Sequence, residues 1–428
     1  MQSVIPMTHV CQHWRKSLVL TPENWTRISS KRSNLTALTL ERSKGAPLKM
    51  VLNMNQIKKK PRFSSIIADH IKKTIELVFC EWMTIDDLFK TLPGFPQSMP
   101  NLQLLDLTLS DHAPNWDPKI DPFERFPPTI KYLGLGCIPL YQSFLNLRDL
   151  MELRLKDHQF HHTLDELLGF LEQNHSLKEA SLDIEFASST LRKSQHQPPV
   201  LIKNQFECLR VASKEAETIK ALISSIPLQS CVHLEVRLLE SSIKWSSIIS
   251  DIFITHLANH PSPDYMKFHP NYCIDLSGPN GYWSFSMHYN PIFFLEPPPL
   301  LSYESIQELC LTHSDPMVFN PLLFPALETL VLVHTIGVSH VLSSLFSSPG
   351  SLPLFRTLKF ENCNRYEDYM EKLVQFAVQR KNTSVEPLAK VVFYGLGLEA
   401  KLNNYLGSIN ALKLNVTDVL LLSQIDLV

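Results

Sequence analysis

Leu150-Met151-Glu152-Leu153-Arg154-Leu155 is apolar at its first, fourth and sixth positions. The last two apolar residues are two apart, the alternation that sets both on one side of an extended strand. The first lies three residues earlier, where a turn enters the strand. The spacing recurs as Leu35, Leu38, Leu40; Leu102, Leu105, Leu107; Ile130, Leu133, Leu135; Leu177, Ala180, Leu182; and Phe206, Leu209, Val211. After a gap it returns as Ile306, Leu309, Leu311; Leu327, Leu330, Leu332; Phe355, Leu358, Phe360; Leu388, Val391, Phe393; and Ile409, Leu412, Leu414.

Neighbouring units are mostly 20 to 33 residues apart. That fits a degenerate leucine-rich repeat, whose period is roughly 20 to 29. Helical signals fill the intervals. Thr163-Leu164-Asp165-Glu166 has the form of a capping box, followed by Leu167, Leu168 and Leu171 at helical spacing and ended at Asn174 and His175. A second helix carries Ile219, Leu222, Ile223 and Ile226 before Pro227, and a third carries Met370, Leu373, Val374 and Ala377. The expected class is therefore α/β: a leucine-rich-repeat-like solenoid, a curved parallel sheet with outer helices, over residues 31–428. Residues 259–301 break the rhythm with Pro261, Pro263, Pro270, Pro279, Pro291 and Pro297-Pro298-Pro299. Asn280-Gly281 favours a tight turn, and Tyr282, Trp283, Phe285, Met287 and Tyr289 are strand formers, so an irregular hairpin insertion is expected there. The polar stretch Ser188 to Pro199 reads as a loop.

The 428 residues are 44% hydrophobic and 19% charged, with a formal net charge of -2. This balance describes a globular chain and argues against general binding to nucleic acid or an anionic membrane. No stretch approaches the ~18 to 20 apolar residues of a membrane span, and no signal-peptide pattern opens the chain. No two of the eight cysteines are closer than 23 positions, so no Cys-x-x-Cys pair exists, and the thiols are read as reduced and intracellular. The sequons at Asn24 and Asn34 are then chance matches. A cytoplasmic or nuclear location is expected.

Residues 1–30 add a different signal. Thr8-His9-Val10-Cys11-Gln12-His13-Trp14-Arg15, with Pro22 and Trp25-Thr26-Arg27-Ile28, resembles the C-terminal half of an F-box. Leu40-Glu41-Arg42-Ser43-Lys44-Gly45-Ala46-Pro47-Leu48 resembles the segment that follows it. With the repeats, the chain resembles fungal F-box proteins that carry leucine-rich-repeat-like C-terminal regions. The distinctive part covers under a tenth of the chain; the remainder matches in rhythm only. The resemblance implies a non-catalytic substrate-recognition adaptor of an SCF-type cullin-RING ubiquitin ligase. Val10, Cys11, Trp14, Pro22 and Trp25 would form the F-box core that meets a Skp-type adaptor subunit, Trp14 inside the module and Trp25 where it meets the next domain. The repeat domain would hold an unidentified target protein. The first F-box helix, with its Leu-Pro and acidic pattern, does not precede these residues. A truncated sequence and a chain that has lost ligase recruitment are the two explanations, and the second leads to the alternative, a ligase-independent protein-interaction scaffold.

No catalytic motif is present: no Gly-x-Ser-x-Gly elbow, no phosphate-binding Gly-x-x-x-x-Gly-Lys loop and no Gly-x-Gly-x-x-Gly after a strand. No enzyme activity and no cofactor are expected. His9, Cys11 and His13 lack the glutamate a zincin helix needs, Val10 standing there instead, so they read as helix residues. Asp157, His158, His161 and His162 lack an evident fourth ligand and read as loop residues, and no metal is expected. Lys58-Lys59-Lys60-Pro61-Arg62 reads as an exposed basic loop. Asp86-Asp87 and Glu367-Asp368 read as helix-start charges. If the inward leucines face the core, the opposite strand face carries Asp106, Gly134, Arg154, Ser181, Arg210, Cys310, Val331 and Lys359, with Thr108, Lys156, Asp183, Thr312 and Glu361 two residues on. The candidate partner-binding residues are Asp106, Arg154, Lys156, Asp183, Arg210, Thr312, Lys359 and Glu361, with Tyr282 and Trp283 of the hairpin.

Overall fold

The computed structural model describes residues 16–17, 19–80, 85–92, 94–108, 121–123, 125–160, 163–186, 204–228, 230–239, 260, 262–269, 273–279, 284–288, 303–312, 319–335, 337–347, 350–363, 366–383, 385–395 and 402–422. The fold is α/β, a largely parallel sheet with helices between strands. Two compact units divide it, Met1–Cys231 and Val232–Val428.

The first unit holds strands β1 (Arg27–Ser29), β2 (Leu48–Leu52), β3 (Thr74–Phe79), β4 (Leu104–Thr108), β5 (Tyr132–Gly136), β6 (Glu152–Phe160), β7 (Glu179–Phe186) and β8 (Cys208–Ser213). Each pairs in parallel with the next. Its described helices are α1 (Thr36–Ser43), α2 (Met54–Lys58), α3 (Pro61–His70), α4 (Ile85–Thr91), α5 (Gln142–Leu145), α6 (Leu164–Gln173) and α7 (Ala216–Ser225). Register stacks Leu105, Leu133, Leu153, Ala180 and Leu209 in one row, all buried. Leu107, Leu135, Leu155 and Leu182 form the next row of β4 to β7, also buried. These are the positions the spacing selects. α6 begins with the expected capping box: Glu166 N–H donates to Thr163 Oγ1 at 3.2 Å, and Thr163 N–H to Glu166 Oε2 at 2.7 Å. Its far end is closed by Asn174, whose Oδ1 accepts from Leu150 N–H at 3.0 Å and whose Nδ2 donates to Phe170 O at 2.9 Å. Asn204 Nδ2 donates to the carbonyls of Leu171 and Asn174, so the last turn buries no unmatched carbonyl at those positions.

The second unit holds β9 (His233–Leu238), β10 (Tyr265–His269), β11 (Cys273–Ser277), β12 (Ser284–His288), β13 (Glu308–Thr312), β14 (Thr329–Val333), β15 (Thr357–Glu361), β16 (Lys390–Tyr394) and β17 (Asp418–Leu422). Its described helices are α8 (Val338–Ser347), α9 (Met370–Lys381) and α10 (Leu406–Lys413). Space does not follow sequence here. β9 pairs with β12, β12 with β11 and β11 with β10, and β10 lies against β13, after which the order is regular to β17. The two contacts inside the β10–β11–β12 meander are antiparallel; the others are parallel. Leu309, Leu330, Leu358 and Val391 stack in one buried row, with Leu311, Leu332, Phe360 and Phe393 in the next.

Polar side chains tie these strands behind the leucines. Three residues after Leu332, Thr335 Oγ1 donates to Leu311 O of the preceding strand at 3.1 Å. Three residues after Phe360, Cys363 Sγ donates to Leu332 O at 3.1 Å. Arg380, in the last turn of α9, is 1% exposed. Its guanidinium donates to the carbonyls of Glu386 at 2.8 Å, Leu352 at 2.9 Å and Phe355 at 2.7 Å.

Two expected strand units are helices instead. Leu38 and Leu40 lie in α1, and Ile409 and Leu412 lie in α10, with Leu414 just beyond it and 75% exposed. The first step of the repeat, three residues, is also a helical step, and the local pattern cannot separate the two. α1 buries Thr39 and Ser43 rather than the expected Leu38 and Leu40, which are half-buried: Thr39 Oγ1 donates to Leu35 O and Ser43 Oγ to Leu40 O, which satisfies both hydroxyls within the helix. β1, β2, β3, β9, β10 and β17 were not anticipated as strands. β9 nonetheless keeps the spacing, as buried Cys231, Leu234 and Val236.

Candidate partner-binding faces

In each unit one sheet face carries the buried leucine rows, and the other carries the residues between them. In the first unit Asp106, Gly134, Arg154, Ser181 and Arg210 form one row across β4 to β8. Thr108, Gly136 and Lys156 form the next, and Asp183 is in register with Ala212. Five candidate residues, Asp106, Arg154, Lys156, Asp183 and Arg210, are thus brought onto one surface. Two glycines in β5 leave a strip without side chains between Asp106 and the Arg154–Lys156 pair. Arg154 pairs with Glu152, Lys214 with Glu185 at 2.6 Å, and Lys178 with Glu207 at 2.6 Å. The hydrogen bond and the charge of Glu207 raise the Lys178 ammonium above its usual range. These exposed pairs set the pattern of charge more than they stabilise the sheet.

In the second unit the equivalent face gathers Thr312, Lys359 and Glu361. Thr312, Val333 and Glu361 share a row, and Cys310, Val331 and Lys359 share the row beside it. Lys359 Nζ lies 3.9 Å from Glu308 Oε1. The meander extends these rows with residues the sequence spacing did not single out: Lys267 is in register with Cys310, and Tyr265 with Glu308. The Tyr265 hydroxyl interacts with the Cys310 thiol; burial first, then nearby charges, raise its pKa. Burial is also the main force pushing the Cys310 thiol up to about 11. A thiol of that kind is protonated at neutral pH and a poor nucleophile. Buried Cys310, Val331 and Val392 give this face an apolar floor, rimmed by Glu308, Lys359 and Glu361. Alternation around Leu309 and Leu311 was the signal for Cys310. Tyr265 and Lys267 had none, because β10 enters the row from inside the irregular stretch.

Val10, Cys11, Trp14, Tyr282 and Trp283 lie outside the described residues, as do His9, His13, His161, His162 and the 188–199 loop. Pro22 opens a short 3-10 turn, Pro22–Trp25. Trp25 is 2% exposed, with the Arg42 guanidinium of α1 4.5 Å from its ring centre. The strand that follows, β1, is paired into the first unit. The Lys58–Arg62 run spans the end of α2 and the start of α3, with Pro61 in the first turn of α3.

Among the residues whose side chains are described, no three of His, Cys, Asp and Glu form a metal-ligand group. No described helix is long and apolar enough to cross a membrane. No protein-family model matches the sequence, and the comparison with curated proteins returns no match.

Proposed function

We propose that this chain is a non-catalytic, leucine-rich-repeat-like recognition subunit that presents a target protein to an SCF-type cullin-RING ubiquitin ligase through a Skp-type adaptor. The observation that carries the recognition half is the registry of the strands. Rows of inward leucines leave rows of charged and small residues on an open parallel face, where an extended partner surface can lie. The leucine-rich-repeat reading draws support from Thr335 and Cys363, which stand at the ninth position of Leu327-x-x-Leu330-x-Leu332 and Phe355-x-x-Leu358-x-Phe360 and donate to the strand before. An Asn or Cys at that position belongs to the repeat pattern. The ligase half rests on the resemblance of residues 8–28. Rate would come from proximity: the bound target is held beside the charged ubiquitin carrier. Cys80, Cys137, Cys208, Cys231, Cys310 and Cys363 are free thiols, which favours a reducing compartment, cytoplasm or nucleus.

A pull-down of the Skp-type adaptor by the chain and by Trp14→Ala tests this. The expected result is binding that Trp14→Ala abolishes. Absence of binding by the unaltered chain would overturn the ligase half and leave the second reading, a ligase-independent interaction scaffold. One observation favours that second reading: Trp25 and β1, from the resembling segment, are built into the first unit.

A further inference from the structure

We propose that β17 is a docking edge for a second copy of this chain, the two β17 strands pairing antiparallel about a two-fold axis at Leu420. β17 is joined to β16 along one side, and among the described residues no strand pairs with its other side. The bonds to β16 fix which groups face outward. Asp418 N–H donates to Ala389 O at 2.9 Å, and Leu422 O accepts from Gly395 N–H at 3.3 Å. Backbone groups alternate sides along a strand, so Asp418, Leu420 and Leu422 bond toward β16, while Val419 and Leu421 turn their N–H and C=O groups to the open side. The side chains are uncovered on that side too. Val391, Val392 and Phe393 of β16 are buried, whereas Val419 and Leu420, in register with the first two, are half-buried, and Leu421, in register with Phe393, is 38% exposed. Edge strands are ordinarily blunted by lysine, proline, a bulge or an inward charge. β17 reads Asp-Val-Leu-Leu-Leu, with its one charge on the outward face and no break in its register with β16.

Self-complementarity names the occupant. An open backbone edge accepts a strand, and aliphatic side chains select an uncharged one; β17 is both. With the two-fold axis at Leu420, Val419 lies opposite Leu421 of the second copy, and Leu421 opposite its Val419. These are the residues whose backbone groups face outward, so each pair exchanges two N–H···O bonds and all four outward donors and acceptors of the two residues in each copy are matched. Leu420 meets its own mate in the closer, non-hydrogen-bonded pair. Asp418 falls opposite Leu422, away from the Asp418 of the second copy. The axis stands perpendicular to the sheet, so Val419 and Leu421 of both copies extend the inward rows on one side. The helix layers share that side, where Leu406 and Leu414, at the two ends of α10, are both exposed. A contact of this isologous kind closes at two copies. It is independent of the ligase reading.

The test is sedimentation velocity of the full purified chain at concentrations from roughly 1 to 100 μM. A reversible monomer–dimer equilibrium without larger species is expected. Leu420→Lys sets two ammonium groups face to face at the axis and should weaken the dimer about tenfold or more, as should Leu420→Glu with two carboxylates. Mixing the two variants should restore association, because opposite charges then meet. The proposal is overturned if the unaltered chain is a monomer throughout, as it would be with the edge covered by its own residues 423–428, if either variant dimerises as tightly as the unaltered chain, or if the mixture associates no better than its components. Should circular dichroism show a Leu420 variant unfolded, Leu421→Pro decides the matter. It removes an N–H that faces away from β16, the one kind of strand position that tolerates proline, and should leave monomers; a dimer of this variant would overturn the proposal.

Discussion

Replacing Arg380 with methionine should destabilise the second unit by about 3–5 kcal/mol, the cost of breaking a buried charged arrangement from one side. Its guanidinium donates to three carbonyls from two directions, Glu386 O on one side and Leu352 O and Phe355 O on the other. Hydrogen bonds to a charged group contribute roughly 1.5–3 kcal/mol each, a gross gain of about 4.5–9 kcal/mol for the three. Burial opposes it: loss of solvent is the first cause of the lowered Arg380 pKa, and a buried ion costs several kcal/mol. Methionine keeps an apolar stem of similar length yet leaves the three carbonyls without this donor, at about 1 kcal/mol or more each. Arg380→Lys should lose nearly as much, because one ammonium cannot span both groups. Urea unfolding followed by far-UV circular dichroism gives the value, with an unchanged m showing that compactness is preserved. A loss below about 1 kcal/mol at constant m would refute the reasoning, since desolvation would then cancel the three bonds. Glu386→Ala is the control. Its backbone carbonyl remains, and the exposed carboxylate–Arg356 pair at 2.7 Å should contribute no more than about 1 kcal/mol.

Thr335→Val should cost about 1–2 kcal/mol by leaving Leu311 O without its hydroxyl donor, read from the same urea midpoints. Trp25→Ala should cost about 3–5 kcal/mol as a buried aromatic truncation, whereas Arg42→Ala, which removes the stacked cation, should cost about 0.5–1 kcal/mol; equal losses would contradict the packing described. The second unit should weaken as pH rises from about 9 to about 11. Burial pushes Cys310 and Cys363 up to about 11, so over that interval the unfolded chain holds fewer protons than the folded one and stability falls with pH. Half-buried Tyr265 and buried Tyr369, also raised, add to the loss from about pH 10. A Cys310→Ala, Cys363→Ala double variant should lose the decline just above pH 9, and an unchanged pH–stability profile would contradict the assignment. Lys359→Ala should change stability by no more than about 0.5 kcal/mol while reducing capture of a target protein; a large stability loss would make Lys359 structural.

The interior was the legible part. A leucine at a buried strand position has one role, and the three-then-two spacing located Leu105, Leu153, Leu330 and Phe360 to the residue. The spacing failed where another residue type does the same work: Thr39 and Ser43 fill the interior of α1 through their own backbone bonds, and Cys231 stands where β9 would show a leucine. The outward face was legible as a set but not as a surface. Alternation assigns Cys310, Thr312, Lys359 and Glu361 to one side, whereas their neighbours depend on which strand lies alongside. That order is a property of connection lengths and turns, which carry little apolar signal.

The meander explains why the order could change without destroying the sheet. Three consecutive antiparallel strands restore the original direction, so β10 and β12 both run parallel to the flanking β13 and β9. An insertion of two strands would have presented an antiparallel neighbour to the repeats on one side; three keep the parallel register continuous, with Met266 opposite Leu309 and Phe285 opposite Leu234 along the backbone. The opposite face is freed from that constraint. It accepts Tyr265 and Lys267 beside Glu308 and Cys310 at one border.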